Sequence, residues 1–279
     1  MVTGFASNRW YTGNQDGEFA SPDSFYLLAS VDVSCIPKIM SKIMNSPRVL
    51  IIIPCYNEQG AIAELLDEIS ACQEGYETIV IDDGSQDATY QIARQFSPTV
   101  RLLKNLGIGG AVQTGIKYAC SKGFDFCIQI DGDGQHIPGQ ISKLLQAYQE
   151  KPRSIIIGSR YLQNDTFRST YMRRFGGRVI AKALDVLFSR CSVTDPTSGM
   201  RLMDSKVIEF FAKHYPHDFP EPISLAWALK MGFTVGEIQV KMRARIHGNS
   251  SIIGLKSISY VFRVLGYIVL ARFERVSLL

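Results

Sequence analysis

Phe126-Cys127-Ile128-Gln129-Ile130-Asp131-Gly132-Asp133-Gly134-Gln135-His136 is the stretch that decides how the chain is read. The apolar run Phe126–Ile130 reads as a buried strand, and it stops at two aspartates separated by one residue. Gly132 and Gly134 cannot continue a well-packed strand, so both carboxylates belong to the turn leaving its C-terminal end. Two hard oxygen ligands there suit Mg²⁺ or Mn²⁺, which take carboxylates together with substrate phosphate oxygens. An isolated Asp-Gly-Asp is equally a polar turn capping a strand. A calcium loop also competes, because Asp131, Asp133 and Gln135 fall at alternate positions. It fails because His136 stands where the sharp-turn glycine is needed and Ser142 where the bidentate glutamate belongs.

The flanking sequence separates these readings. Val49-Leu50-Ile51-Ile52-Ile53 is a continuous apolar run, as in a strand buried on both faces of a parallel sheet. Pro54-Cys55-Tyr56-Asn57-Glu58 breaks it, and Ile62, Leu65, Leu66 and Ile69 then recur at helical spacing. Thr78–Ile81 is a second strand, ended by Asp82-Asp83-Gly84-Ser85 and followed by a helix over about 87–96. Val100–Leu103 is a third strand, and Asn105-Leu106-Gly107-Ile108-Gly109-Gly110 turns into a helix through Ala119. After the central strand come a helix from about Pro138 to Tyr148 and a strand over 154–157. This alternation predicts an α/β fold, a Rossmann-like, mostly parallel sheet flanked by helices. The polar loops Tyr56/Asn57/Glu58, Asp82/Asp83, Asn105, Asp131/Asp133 and Ser159/Arg160 then converge on the rim where such sheets bind ligands. A dinucleotide-binding dehydrogenase is disfavoured. The first strand-to-helix turn lacks glycines, and Val112 stands where the last Gly or Ala of the later cluster should be. Gly109 and Gly110 instead permit close helix packing or backbone contact with a ligand.

At 279 residues and 46% hydrophobic, the chain can bury one large domain with appendages. A net charge of +4, with no basic block interleaved with aromatics, argues against nucleic-acid binding. Cys35, Cys55, Cys72, Cys120, Cys127 and Cys191 form no C-x-x-C pair, which predicts reduced structural thiols and a cytosolic setting. There is no signal-peptide pattern and no uncharged apolar run of membrane-spanning length. Residues 1–43 lack periodicity and read as a poorly ordered tail, or as an added element packing through the weak apolar patch at Phe25–Ala29. The expected organisation is this tail, a domain over 44–253 and a C-terminal helix over 254–279.

Five ordered motifs carry a resemblance: Pro54-Cys55-Tyr56-Asn57-Glu58, Asp82-Asp83-Gly84-Ser85, Asp131-Gly132-Asp133-Gly134-Gln135-His136, Gly158-Ser159-Arg160-Tyr161 and Ser198-Gly199-Met200-Arg201. Together, over roughly residues 48–253, the chain resembles the family 2 glycosyltransferases of GT-A fold, in particular the dolichyl-phosphate-mannose-synthase-like branch. The resemblance implies that Asp82 or Asp83 contacts the nucleotide base or ribose, and that Pro54, Tyr56, Asn57, Glu58, Asn105, Gly109, Gly132 and Arg201 line the nucleotide-sugar site. It implies that Asp131, Asp133 and Gln135 hold Mg²⁺ or Mn²⁺ on the donor diphosphate, and that Arg160 lies near an acceptor phosphate.

The second half adds an acceptor region. Arg168, Arg173, Arg174 and Arg178 surround Phe175-Gly176-Gly177 before an apolar helix over 179–188, and serve either phosphate binding or a solvated basic face. Asp195–Gly199 reads as a turn, and Phe233–Val240 as a strand. Glu221 is either a general base or helix N-terminal charge. Arg243, Arg245 and His247 stand in a polar loop able to close over the donor. Leu255, Ile258, Phe262, Leu265, Val269 and Phe273, with Lys256, Arg263, Arg272 and Arg275, make an amphipathic helix that lies on an anionic membrane or on the domain. The expectation is an inverting, metal-dependent hexosyl- or N-acetylhexosaminyltransferase with Asp133, Arg160 and Glu221 in catalytic roles. It would move a sugar from a nucleotide-diphosphate-sugar to a polyprenyl phosphate, peripheral on the cytosolic face of a membrane or held there by a membrane-protein partner. The alternatives are transfer to a sugar hydroxyl of a polysaccharide or glycolipid, and a non-catalytic nucleotide-sugar-binding protein.

Overall fold

The computed structural model describes residues 47–72, 75–162, 171–188, 192–243 and 255–273. The expectations for residues 1–43 and for Arg168, Arg245 and His247 fall outside the described residues. In chain order the elements are β1 (Val49–Cys55), α1 (Ile62–Ala71), β2 (Glu77–Asp82), α2 (Thr89–Phe96), β3 (Thr99–Arg101), α3 (Gly107–Lys122), β4 (Phe126–Gln129), α4 (Ile141–Glu150) after a short 3₁₀ turn, and β5 (Ile155–Ser159). Then follow α5 (Tyr171–Phe188), β6 (Arg201–Asp204), α6 (Ser205–Lys213), α7 (Pro220–Lys230), β7 (Val235–Gln239) and α8 (Leu255–Phe273).

One seven-stranded sheet runs β3-β2-β1-β4-β6-β5-β7. β1 is buried along its whole length, and strand alternation sends its side chains into two cores. Leu50 and Ile52 join residues of α3, α5, α6, α7 and α8, while Val49, Ile51 and Ile53 join residues of α1 and α4. Fully burying each such side chain stabilises by roughly 1.5–3 kcal/mol, so β1 anchors both layers. α3 approaches β1 where Gly115 has no side chain to collide with Ile52.

The parallel order is broken by β6, which is antiparallel to both β4 and β5. No local sequence pattern marks this strand. Its four residues are too few to show a period, and it opens on a buried arginine. It ends on Asp204, whose carboxylate caps α6 by accepting the Val207 N–H at 3.0 Å. Its strand state comes from its two sheet neighbours rather than from local preference. α5 begins well before the predicted apolar segment, so Arg174 and Arg178 lie on this helix.

α8 packs against α5 and α7. Its inner face is Val264, Ile268 and Ala271, all buried, and Lys230 Nζ donates to the Ala271 carbonyl at 2.7 Å. The predicted stripe is not this face: Phe262 and Phe273 are 70% and 77% exposed. The helix is therefore apolar on two sides, with packing on the domain occupying one. Among the described residues no helix is long and apolar enough to cross a membrane.

Candidate active site

The two aspartates are carried beyond β4 by continued pairing with β1. Ile130 N–H donates to the Ile52 carbonyl at 3.0 Å, and Gly132 N–H to the Pro54 carbonyl at 3.2 Å. Gly132 is required, since a Cβ there would stand 2.9 Å from Cys55 Cβ. Asp131 Oδ1 accepts from Gln129 Nε2 at 3.4 Å, and Asp131 Oδ2 lies 3.3 Å from His136 Nε2. Backbone of Gly199 fills the remaining side, where any Cβ would overlap the carboxylate. Burial by itself would raise the Asp131 carboxyl. Hydrogen bonding and charge from His136, the Gln129 amide and the Arg160 guanidinium outweigh it and hold Asp131 below the usual carboxylate range.

Asp133 Oδ1 accepts the Gln135 N–H at 3.0 Å. The turn is pinned by the segment after β7: Arg243 N–H donates to the Gln135 carbonyl at 2.8 Å, the Gln135 amide reaches the Arg243 carbonyl at 3.4 Å, and His136 bridges to Met242. Arg243 is itself tied to Glu68 on α1 at 2.6 Å. Among the described residues no group of three or more His, Cys, Asp or Glu side chains forms a closed metal cage. Two carboxylates at an open rim are nevertheless the donor set that suits Mg²⁺ or Mn²⁺ completed by diphosphate and water oxygens.

At the other end of the rim, the loops after β1 and β2 clasp each other. Asn57 N–H donates to Ser85 Oγ at 2.9 Å, Gln86 N–H to Asn57 Oδ1 at 2.9 Å, and Glu58 N–H to Thr89 Oγ1 at 2.8 Å. Asn57 adopts φ +56°, a left-handed conformation that Asn tolerates better than most residues. Tyr56 beside it is 41% exposed. Asp82 is fully buried; its Oδ1 accepts the Ser85 N–H, and Oδ2 lies 3.3 Å from Arg101 Nε without a hydrogen bond. Asp83 Oδ1 accepts the Leu106 N–H at 2.7 Å, and burial raises this carboxyl. Asn105 Oδ1 accepts the Gly107 N–H at 3.0 Å. Gly109 makes room for the carbonyls of Pro216 and His217, so of its two expected uses the structure shows close packing.

The loop after β5 is built around Arg160. Its Nε and Nη2 donate to the two oxygens of Asp195, both at 2.6 Å, and Nη2 also donates to Thr197 at 3.0 Å. Asp195 is set in place by Glu237 on β7, which accepts the N–H groups of Thr194 and Asp195 at 2.8 and 2.7 Å. Arg160 is thus committed to a protein carboxylate. Its guanidinium also faces Tyr161 at 5.3 Å, and Arg174 faces the same ring at 5.5 Å. Beyond Tyr161 opens a cavity of about 450 Å³ lined by Arg174, Arg178, Lys182, Asp185 and Thr194 among others.

Arg201 is buried and donates to the carbonyls of Pro196, Ser198 and Glu221 and to Ser224 Oγ, tying the 196–198 turn to α7. Glu221 stands in the first turn of α7. Burial raises its carboxyl, Arg201 opposes the rise, Asp131 adds to it, and the Gln129 amide opposes it more weakly. The helix is launched by Phe219 in a left-handed conformation, φ +48° and ψ +51°. For a bulky residue this is strained, and Tyr260 and Tyr267 of α8 brace its ring at 5.0 and 6.0 Å.

The structure therefore gathers Asp131, Asp133, Gln135, Glu221 and Arg201 around one end of β4, with Asp82, Asp83, Asn57 and Asn105 along the same rim. The model of Glycosyl transferase family 2 matches residues 50–211, more than half of the chain. The chain belongs to glycosyl transferase family 2. It is 27% identical over 238 residues to UDP-N-acetylglucosamine–dolichyl-phosphate N-acetylglucosaminyltransferase of Methanococcus voltae, covering 76% of this chain and 94% of the relative. It is 26% identical over 242 residues to polyprenol monophosphomannose synthase of Mycolicibacterium smegmatis, covering 82% and 89%. Among solved structures it superposes on glucosyl-3-phosphoglycerate synthase of Mycobacterium tuberculosis, crystallised with Mn²⁺, UDP and glucosyl-3-phosphoglycerate. That match has a TM-score of 0.59 at 19% identity and covers 81% and 80% of the two chains. The fold is GT-A, and the protein is a glycosyltransferase.

Sequence reasoning passed over Gln129, Asp195, Gly199 and Glu237 as individual residues. Only Gln129 carries a usable signal, an amide inside an otherwise apolar strand. The others are visible only once the sheet order brings β7 and the 195–199 turn beside β4 and β5.

Proposed function

We propose that the protein transfers a sugar, with inversion, from a nucleotide-diphosphate-sugar to a polyprenyl phosphate. The names of the relatives from M. voltae and M. smegmatis support this reading. The observation that carries the acceptor side is the basic cavity beside Tyr161. Arg160 is already engaged by Asp195 and Lys182 is paired with Asp185 at 3.1 Å, so the cations presented to an incoming anion are Arg174 and Arg178, one turn apart on α5. Arg160 acts from behind them, through Tyr161 and through its field on Asp131.

Asp131, Asp133 and Gln135 would hold Mg²⁺ or Mn²⁺ against the donor diphosphate. Bound there, the ion supplies the positive charge that stabilises the departing diphosphate. The chain's own part is orientation. The clasped loops after β1 and β2 offer Asp82 and Asp83 to the base or ribose, and Asp131 and Asp133 meet the diphosphate end. A phosphate monoester has a second pKa near ~6 and is already ionised at neutral pH, so one of its oxygens attacks the anomeric carbon directly. Attack from the face opposite the leaving group inverts that carbon. Glu221 is then dispensable as a base. It would be essential for a sugar hydroxyl, for which proton removal is worth about 10²–10⁴-fold. The outward face of α8, Phe262, Leu270 and Phe273 beside Arg263 and Arg272, suits contact with an anionic membrane where such an acceptor resides.

The test compares variants with a polyprenyl phosphate as acceptor. Arg174→Ala and Arg178→Ala should each raise the acceptor KM by roughly 10–100-fold, the loss of a charge-assisted hydrogen bond, while Glu221→Gln leaves kcat within a few fold. A thousand-fold loss in Glu221→Gln, with both arginine variants silent, would assign a hydroxyl acceptor and make Glu221 the base.

A further inference from the structure

Three buried side-chain polar atoms among the described residues lack a hydrogen-bond partner: Asp82 Oδ2, Gln129 Oε1 and His136 Nδ1. Two of them belong to the side chains that touch Asp131. Gln129 is fully buried at the end of β4, in register with Arg201 of β6. By alternation it points to the same side as Cys127, into the apolar layer that holds Phe211, Tyr215 and Ile223. A methionine or leucine would suit this apolar layer, whereas the amide leaves its carbonyl oxygen without a hydrogen-bond partner. Its Nε2 reaches Asp131 Oδ1 at 3.4 Å.

His136 has the same character. It is 1% exposed, its Nε2 lies 3.3 Å from Asp131 Oδ2, and its Nδ1 meets nothing. Buried polar side chains kept for structure are satisfied at both ends. These two are satisfied only at the end that meets Asp131, one at each carboxylate oxygen, while Gly199 closes the third side.

We propose that Gln129 and His136 are positioning residues that hold the Asp131 carboxylate by its two oxygens in the orientation that receives the donor's divalent cation. This rests on the metal reading above. Outer partners of metal-binding carboxylates typically contribute 10–100-fold in metal affinity. The clamp also makes an unusual prediction of opposite signs. Removing the Gln129 amide should weaken metal binding and yet relieve the domain of an unpartnered buried carbonyl.

The experiment titrates Mn²⁺ into the full chain with UDP present, following the free-ion signal by electron paramagnetic resonance, and separately records metal-free melting. Gln129→Met should bind Mn²⁺ roughly tenfold or more weakly, with a melting temperature equal to or above that of the unmodified chain. His136→Leu should also bind more weakly, and His136→Gln, which restores an N–H donor of similar reach, should recover much of the affinity. Unchanged Mn²⁺ affinity in folded Gln129→Met and His136→Leu, with Asp131→Asn impaired, would overturn the clamp and leave the metal site standing. A destabilised Gln129→Met would assign the amide to structure and overturn its positioning role. Absence of Mn²⁺ binding by the unmodified chain would overturn the metal reading itself, and the clamp with it.

Discussion

Gly199→Ala places one methyl group where the Asp131 carboxylate now lies. The added Cβ would stand 2.5 Å from Asp131 Oδ1 and nearer still to Oδ2, whereas ordinary contact begins at 3.4 Å, so the carboxylate must retreat by about 1 Å. It cannot retreat and keep both partners, because Gln129 and His136 hold its oxygens at 3.4 and 3.3 Å, already at the long end for such bonds. Misplacement of a reacting or positioning group by about 1 Å can cost on the order of 100-fold in rate, and overpacking a filled site typically costs about 1–3 kcal/mol. The expected result is a protein that folds with melting lowered by several degrees, turns over donor roughly 100-fold more slowly, and needs more Mn²⁺ for half-maximal activity. Steady-state transfer across a Mn²⁺ series, with melting recorded in parallel, reads all three. Wild-type turnover at limiting Mn²⁺ in folded Gly199→Ala would refute the placement of Asp131 at the reacting end of the donor.

Asp133→Asn should abolish Mn²⁺-dependent transfer while leaving the unfolding free energy within about 0.5 kcal/mol, as for surface substitutions generally; full activity of the folded variant at limiting Mn²⁺ would remove Asp133 from the site. Asp195→Ala leaves Arg160 partly buried without its carboxylate and should cost roughly 3–5 kcal/mol, read by denaturant titration; a change below 1 kcal/mol would show that the pair does not organise the 195–197 turn. Phe262→Glu with Phe273→Glu should reduce flotation with anionic vesicles without changing melting, whereas Ile268→Glu on the inner face of α8 should destabilise the domain outright; unchanged flotation of the double variant would exclude the outward face as the membrane contact.

The half of the fold built from strict strand–helix alternation was legible in the sequence, because β1, β2, β4 and β5 are continuous apolar runs that stop at charged turns. β6 was not. Its strand state depends on neighbours that are distant in sequence, and Arg201 at its start looks like a site residue rather than a sheet residue. The same long-range assembly hid much of the site. That Asp131 and Asp133 end a strand is local information, but that Arg160 is committed to Asp195, and Asp195 to Glu237, follows from β5 lying beside β7. α8 shows the limit of periodicity from the other direction. The stripe at three- and four-residue spacing is real, yet Phe262 and Phe273 on it face solvent. The packing face, Val264, Ile268 and Ala271, was masked because both sides of the helix are apolar.

The central claim is the identity of the acceptor, and the product reports it directly. The full chain is incubated with Mn²⁺, a panel of nucleotide-diphosphate-sugars and either dolichyl or undecaprenyl phosphate, and the lipid fraction is examined by mass spectrometry. The account predicts a polyprenyl phosphate carrying one sugar on its phosphate oxygen, with inverted anomeric configuration and one nucleoside diphosphate released per lipid modified. Donor turnover that leaves every polyprenyl phosphate unmodified, while a glycan hydroxyl gains the sugar, would contradict it.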